Sequence, residues 1–353
     1  MRWLAIALLF VACDGAPAPG EGGVSPGRDA GPPGVPVPRS GLPVGADDAL
    51  RLGPGADLDV ASALTQDATG RVTLIFESFD EAFTRGELWS TDSADGSAFR
   101  VARPIGFTEH PFEASPSFVG GSLYFAGADD LSSPPTLYRG QVGAPSALPS
   151  VEGLDSLLSW PKLYEAGERV ALAFRDGASL PRVALGADPA SLGPPRAIGE
   201  QPAAMVTLGV FGSGALAATY QHPVGGEPMV SFVVRSEDGE SWSAPARVTE
   251  ASPNVHDTTL VGREDGALDL YYAYPAIASG FALFRRRLAE DGALGAEERV
   301  TMDALGETTK PEGLRLASGD VLVATAVITA RGSGGEPTRQ EMTLIRLSSE
   351  APE

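Results

Sequence analysis

The sequence predicts an all-β fold, a six-bladed β-propeller behind a signal/lipobox segment and a disordered Gly/Pro-rich stalk. Three observations carry this prediction: a repeat of about 45 to 53 residues, short apolar stretches behind glycine turns inside each repeat, and no helical periodicity over 12 or more residues.

The repeat is read from five similar endings: Arg103-Pro104-Ile105, Pro149-Ser150-Val151, Arg196-Ala197-Ile198, Ala246-Arg247-Val248 and Glu298-Arg299-Val300. Their last residues lie 46, 47, 50 and 52 apart, and 53 residues follow Val300, so six units fit from about Ala56 onward. Within the units one set of strands includes Val72–Phe76, Leu123–Phe125, Val170–Phe174, Leu216–Tyr220, Leu268–Tyr272 and Val321–Ala324. Most follow a turn containing glycine, such as Thr69-Gly70, Gly120-Gly121 or Ser318-Gly319, because a tight hairpin needs a positive φ. A second set follows 12 to 20 residues later, for example Glu87–Ser90, Phe232–Arg235 and Thr343–Arg346. Units of this length with about four strands each are propeller blades, whose radial arrangement leaves few strand edges exposed. The sixth unit lacks an outermost strand, and Asp47–Leu52, ahead of the first unit, is expected to supply it and so close the ring.

The N-terminus reads as an export signal. Met1-Arg2 is a short positive region, Trp3–Val11 is apolar but too short to span a bilayer, and small Ala12 precedes Cys13. Phe10-Val11-Ala12-Cys13 resembles a bacterial lipobox, in which the cysteine is lipidated. That resemblance implies a signal peptide over 1–12, a lipid anchor at Cys13, and a place in the bacterial cell envelope, periplasmic or at the outer-membrane surface. Cys13 is the only cysteine, so the head uses no disulfide despite an oxidising destination. From Asp14 to Ala46 about half of the residues are Gly or Pro, which denies a helix and favours an extended, solvated spacer. Order is expected from about Asp47, and residues 47–353 form the head. The net charge of −20 disfavours nucleic acid and other polyanionic partners. A monomer is expected.

Two turns are more specific. Ser236-Glu237-Asp238-Gly239-Glu240-Ser241-Trp242 and Ser93-Ala94-Asp95-Gly96-Ser97-Ala98-Phe99 resemble the Asp-box of the sialidase-like, or bacterial neuraminidase repeat, propellers, with degenerate versions at Asp188 and Asp291. The Asp of such a box accepts hydrogen bonds from amides of its own turn, Gly takes the strained dihedral, and the aromatic ring fills the space between strands. The resemblance therefore assigns these residues a structural role, on the face away from the family's active site. Pro253–Tyr274 also resembles the opening strands of sialidase-like and related glycosidase blades, and Glu113–Phe118 followed by Leu123–Ala126 is similar to a TolB-type repeat.

The catalytic set of sialidases is not matched. The family's Arg-Ile-Pro-like motif is absent, with Arg71 opening a strand without it and Arg103-Pro104-Ile105 closing a blade. Neighbours in Arg285-Arg286-Arg287 point to opposite faces of a strand, so that run reads as a solvated strand. Tyr271, Tyr272 and Tyr274 read as packing residues. His110, His222 and His256 fall in different blades without metal-ligand spacing, and no cofactor is implied. Calcium on loop carboxylates such as Asp129 and Asp130 is the one metal the sequence leaves open.

In this family the segments entering each blade's innermost strand line the mouth of the central channel. Here they carry Glu113, Trp160, Lys162, Gln201, His256, Asp257, Lys310 and Glu312. An aromatic ring mixed with cations and carboxylates suits a polar ligand such as a sugar, and Glu113, Trp160, Lys162, His256, Asp257 and Lys310 are the ligand-binding candidates; no catalytic residue is assigned. The leading expectation is an envelope binding module for a glycan, peptide or partner protein. A sialidase-like glycoside hydrolase and a TolB-like envelope-assembly scaffold are the alternatives.

Overall fold

A computed structural model describes residues 34–52, 58–140, 145–223, 229–248, 256–276 and 280–348. The leader, Cys13 and the first part of the expected stalk lie outside the described residues. Those described form strands joined by turns and three short 3-10 segments.

The strands group into six antiparallel four-stranded units. The first runs through Leu58–Gln66, Val72–Phe79, Gly86–Ser93 and Arg103–Ile105. The second comprises Phe112–Val119, Ser122–Ala128, Thr136–Arg139 and Ser146–Ala147. The third, fourth and fifth begin at Lys162–Ala166, Val206–Val210 and His256–Gly262, and end at Arg196–Ala197, Ala246–Arg247 and Glu298–Arg299. The sixth comprises Glu307–Arg315, Val321–Arg331 and Pro337–Leu347, and its fourth strand is Ala49–Arg51, with Thr343 opposite Arg51 and Ile345 opposite Ala49. The expected closing strand is thus found where the missing pairing required it.

Each hairpin between first and second strands turns on a glycine with positive φ, Gly70, Gly121, Gly167, Gly214, Gly266 and Gly319. The second strands carry continuous apolar runs because they are covered on both faces: Ala171, Leu172, Ala173 and Phe174 are fully buried. The apolar clusters lie between successive units. Phe125 of the second unit meets Ile75 and Leu88 of the first, Leu216 of the fourth meets Val183 of the third, and Val323 of the sixth meets Tyr271 of the fifth. Leu322 and Leu344 of the sixth unit then pack on Leu74 and Phe76 of the first, so the series returns to its start. The first strands likewise adjoin in cyclic order, the last lying against the first. Asp59 reinforces that junction by accepting hydrogen bonds from Ser78 Oγ at 2.6 Å and from Met342 N at 2.9 Å.

Two expectations are corrected. Order begins well before Asp47. Val35–Pro36 pairs with Ala98–Phe99, Arg39–Ser40 runs parallel to Arg346 and Leu347, and Val44 bridges Thr301. Val37 and Val44 are buried, and an extended Pro-rich chain with apolar side chains at intervals is well suited to run along exposed strand edges. In the second unit the closing strand is Ser146–Ala147 rather than Pro149-Ser150-Val151. Leu148 N donates to Leu137 O there, as Ile198, Val248 and Val300 N donate to Pro181, Ser231 and Leu283 O in later units.

Both Asp-boxes fold as their chemistry requires. Asp238 Oδ1 accepts from Glu240 N and Ser241 N at 2.7 and 2.9 Å, and Asp95 Oδ1 accepts from Ser97 N at 2.9 Å. The two amides on Asp238, and on Asp95 first the Ser97 hydroxyl and then the Ser97 amide, hold both carboxyls below the usual range. Because strands alternate in direction, these turns lie at the end opposite the beginnings of the first strands, and Val35–Pro36 joins that same end.

Candidate functional site at the meeting of the first strands

One cavity of about 550 Å³, including its open mouth, is lined by residues from the first strands of all six units or the turns entering them. Ser62, Ser115, Lys162, Thr207, Asp257 and Glu312 mark the six contributions.

The backbone around it is unusual. Of the six non-glycine residues with positive φ among the described residues, four line this cavity: Ser115 at 52°, Trp160 at 52°, Asp257 at 42° and Lys310 at 51°. Left-handed backbone costs an ordinary residue on the order of 1–2 kcal/mol. Three of the four precede proline (Pro116, Pro161, Pro311), which normally pushes the preceding residue to extended backbone. Strand pairing shifts register around Ser115, Asp257 and Lys310, so these are bulges that turn side chains out of the sheet alternation toward the centre. Trp160 is fixed by a short turn over Leu157–Ser159. Ser156 Oγ accepts from Leu158 N and donates to Leu131 O at 2.8 Å, and Arg175 Nε donates to Leu158 O at 2.8 Å.

Charges meet in pairs. Lys162 Nζ donates to Glu312 Oε2 at 2.5 Å and to Ser62 O at 2.9 Å, joining the third unit to the sixth and the first. Lys310 Nζ lies 4.0 Å from Asp257 Oδ1 and 4.9 Å above the centre of the Trp160 ring, and Lys310 N donates to Asp257 Oδ2 at 3.3 Å. Thr207, Thr219 and Thr258 share hydroxyl hydrogen bonds at the base.

Directly behind this lining sits Glu77, on the second strand of the first unit and fully buried. Its Oε2 accepts from Ser115 N at 3.2 Å, while its Oε1 has no partner. Burial pushes its carboxyl up to about 7, against the opposing pull of the Ser115 amide and Lys310. Sequence reading missed it; the signal was an acid inside the apolar run Leu74-Ile75-Phe76-Glu77-Ser78-Phe79.

Of the sequence candidates, Trp160, Lys162, Asp257, Lys310 and Glu312 come together here. Glu113 does not. Its Oε1 instead accepts from Phe107 N, Thr108 N and Thr108 Oγ1, capping the loop before its own strand, and burial raises its carboxyl. Gln201 is exposed and does not line the cavity. His256 opens its strand, but its side chain lies outside the described residues.

Other candidate groups are engaged elsewhere. Arg285 Nε binds Glu298, Arg287 binds Asp265, and Arg286 donates to Gly295 O and to Val248 O of the preceding unit. The run does not converge, but Arg286 ties two units together, which corrects the reading of a merely solvated strand. Tyr271 and Tyr272 are fully buried, and Tyr272 OH donates to Glu297 at 2.5 Å within the packing between the fourth and fifth units. Burial raises both phenols, Tyr271 to about 12, so neither is poised as a nucleophile. Asp129 meets His110 Nδ1 at 2.9 Å, Asp130 caps Ser132 and Ser133, and no group of three or more metal-ligating residues occurs among the described residues.

No family model and no curated protein matches the chain. Solved structures do. A protein of unknown function from Dyadobacter fermentans is similar at 16% identity and a TM-score of 0.62, covering 89% of this chain and 97% of its own. An alpha-L-arabinanase of Penicillium chrysogenum complexed with arabinobiose is similar at 17% identity and a TM-score of 0.58, over 84% and 97%. An intramolecular trans-sialidase from Ruminococcus gnavus, in complex with oseltamivir carboxylate, is similar at 9% identity and a TM-score of 0.55, over 84% and 96%. At such identities the likeness shows the fold, an all-β architecture of the β-propeller kind.

Proposed function

We propose that this chain is a six-bladed β-propeller whose central mouth receives a glycan and hydrolyses a glycosidic bond, with Asp257 and Glu312 as its carboxylate pair. The observation that carries this reading is the convergence of these two carboxylates with Trp160 in one cavity drawn from all six units. Glycoside hydrolysis needs two carboxyl groups flanking the scissile bond. The likeness to an arabinanase and a trans-sialidase favours a hydrolase over a pure binding module. The cell-envelope address is part of the proposal: the lipobox-like Phe10-Val11-Ala12-Cys13 supports a lipid anchor.

A panel of fluorogenic glycosides tests it. Turnover that falls at least 100-fold in both Asp257→Asn and Glu312→Gln supports hydrolysis. A binding module is the second reading, favoured by the lysines already engaging both carboxylates. Saccharide binding without turnover, lost in Trp160→Ala, would select it.

A further inference from the structure

We infer that the cavity selects a neutral saccharide and rejects sialic and uronic acids, an inference that rests on the glycan reading of this site. Among the described residues the charged groups lining it are Lys162, Lys310, Asp257 and Glu312, two cations against two anions. Each cation is engaged by a carboxylate of the same cavity, Lys162 by Glu312 at 2.5 Å and Lys310 by Asp257 at 4.0 Å. Lys162 spends a further donor on Ser62 O, and Lys310 faces the Trp160 ring. Among the described residues no arginine lines the cavity, so they supply no planar fork that would grip a carboxylate in two hydrogen bonds. An acidic sugar would have to displace Glu312 or Asp257 from its lysine and leave that carboxylate uncompensated in a half-closed site. The net charge of −20 adds long-range repulsion to the same effect.

What the wall offers instead is neutral. Thr207 and Thr258 contribute hydroxyls that bond to each other, and the buried Oγ atoms of Ser62 and Ser115 beside the cavity have no partner among the described residues. Ala61, Pro116, Val206 and Pro311 supply apolar contact for the C–H face of a sugar ring.

The test is calorimetric titration of the purified protein with arabinobiose and cellobiose as neutral probes, and sialyllactose and digalacturonate as acidic ones. At least one neutral probe is expected to bind at least 10-fold more tightly than either acid. Glu312→Gln, which frees Lys162, and Asp257→Asn, which frees Lys310, are each expected to narrow that gap at least threefold; either variant suffices if the other does not fold. Acidic probes binding the wild type as tightly as neutral ones, with binding lost in Trp160→Ala, would overturn neutral selection while keeping the glycan site. Binding of no saccharide at all would remove the glycan reading and this inference with it.

Discussion

Lys162 and Glu312, 150 residues apart in the chain, meet at 2.5 Å across the centre of the molecule. They belong to the third and sixth units, three steps apart in either direction of the cyclic order. Their pairing therefore ties together two units far apart in the chain and sets the electrostatics of the cavity.

Removing one partner leaves the other uncompensated in a site where both side chains are mostly buried, at 18% and 21% exposure. Glu312→Gln is expected to cost on the order of 1–3 kcal/mol, because loss of one partner exposes the desolvation of the remaining charge. Lys162→Met combined with Glu312→Gln should recover part of that loss. Urea denaturation of the four members of the cycle measures the coupling; strictly additive effects would show that the pair contributes nothing.

Glu77 makes stability depend on pH. Its folded-state carboxyl titrates near 7, above the ordinary value of 4.5 shown when unfolded, so the folded state holds the proton more tightly. Below about 4.5 both states are protonated; stability then falls as pH rises toward about 7 and this contribution levels off beyond. The span corresponds to about 3 kcal/mol at 1.36 kcal/mol per unit. Glu77→Gln should be more stable than wild type at pH 8 and lose that advantage at pH 4, as read by thermal melts. An advantage equal at both pH values would contradict the assignment.

Residues 34–51 act as a strap. They contribute the sixth unit's outer strand, bury Val37, Val44 and Leu50, and place Arg39 on the buried Asp320, with Nη2 at 2.7 Å. Burial of three such side chains is worth roughly 5 kcal/mol, a large share of the 5–15 kcal/mol typical of a domain. A chain beginning at residue 34 should melt like the full-length protein, whereas one beginning at residue 53 should be largely unfolded at room temperature by circular dichroism.

Gly239 separates fold from function. With φ at 75° and a Cβ that would stand 2.2 Å from Leu185 Cδ1, Gly239→Ala should cost about 1–3 kcal/mol. Saccharide affinity should be unchanged, since the turn lies at the end away from the cavity. Loss of affinity with normal stability would mean that the Asp-box face takes part in binding.

The architecture was legible in the sequence because the turn chemistry is local. Gly70, Gly167 and Gly266 each announce a hairpin, and endings such as Ala246-Arg247-Val248 recur because the same backbone hydrogen bond recurs. The closing strand was legible from the pairing that the sixth unit lacked. The strap was not, since its proline and glycine content is that of a free spacer and only the edges it covers reveal the role of Val37 and Val44. At the site, position along the chain located Trp160, Lys162, Asp257, Lys310 and Glu312. It failed for Glu113, which stands before the bulge at Ser115 and is taken up by the amides of Phe107 and Thr108 in the loop ahead of its strand. Proline inside an apparent inner strand, at Pro116 and Pro311, was the sign of the bulges at Ser115 and Lys310.

The central claim is that a saccharide sits where the six first strands meet. A crystal structure of the Glu312→Gln protein soaked with the neutral disaccharide it binds best tests this most directly. The sugar ring is predicted within contact distance of Trp160 and Asp257 in the cavity; a disaccharide bound at the outer edges of the units or at the Asp-box face, with that cavity holding only water, would contradict it.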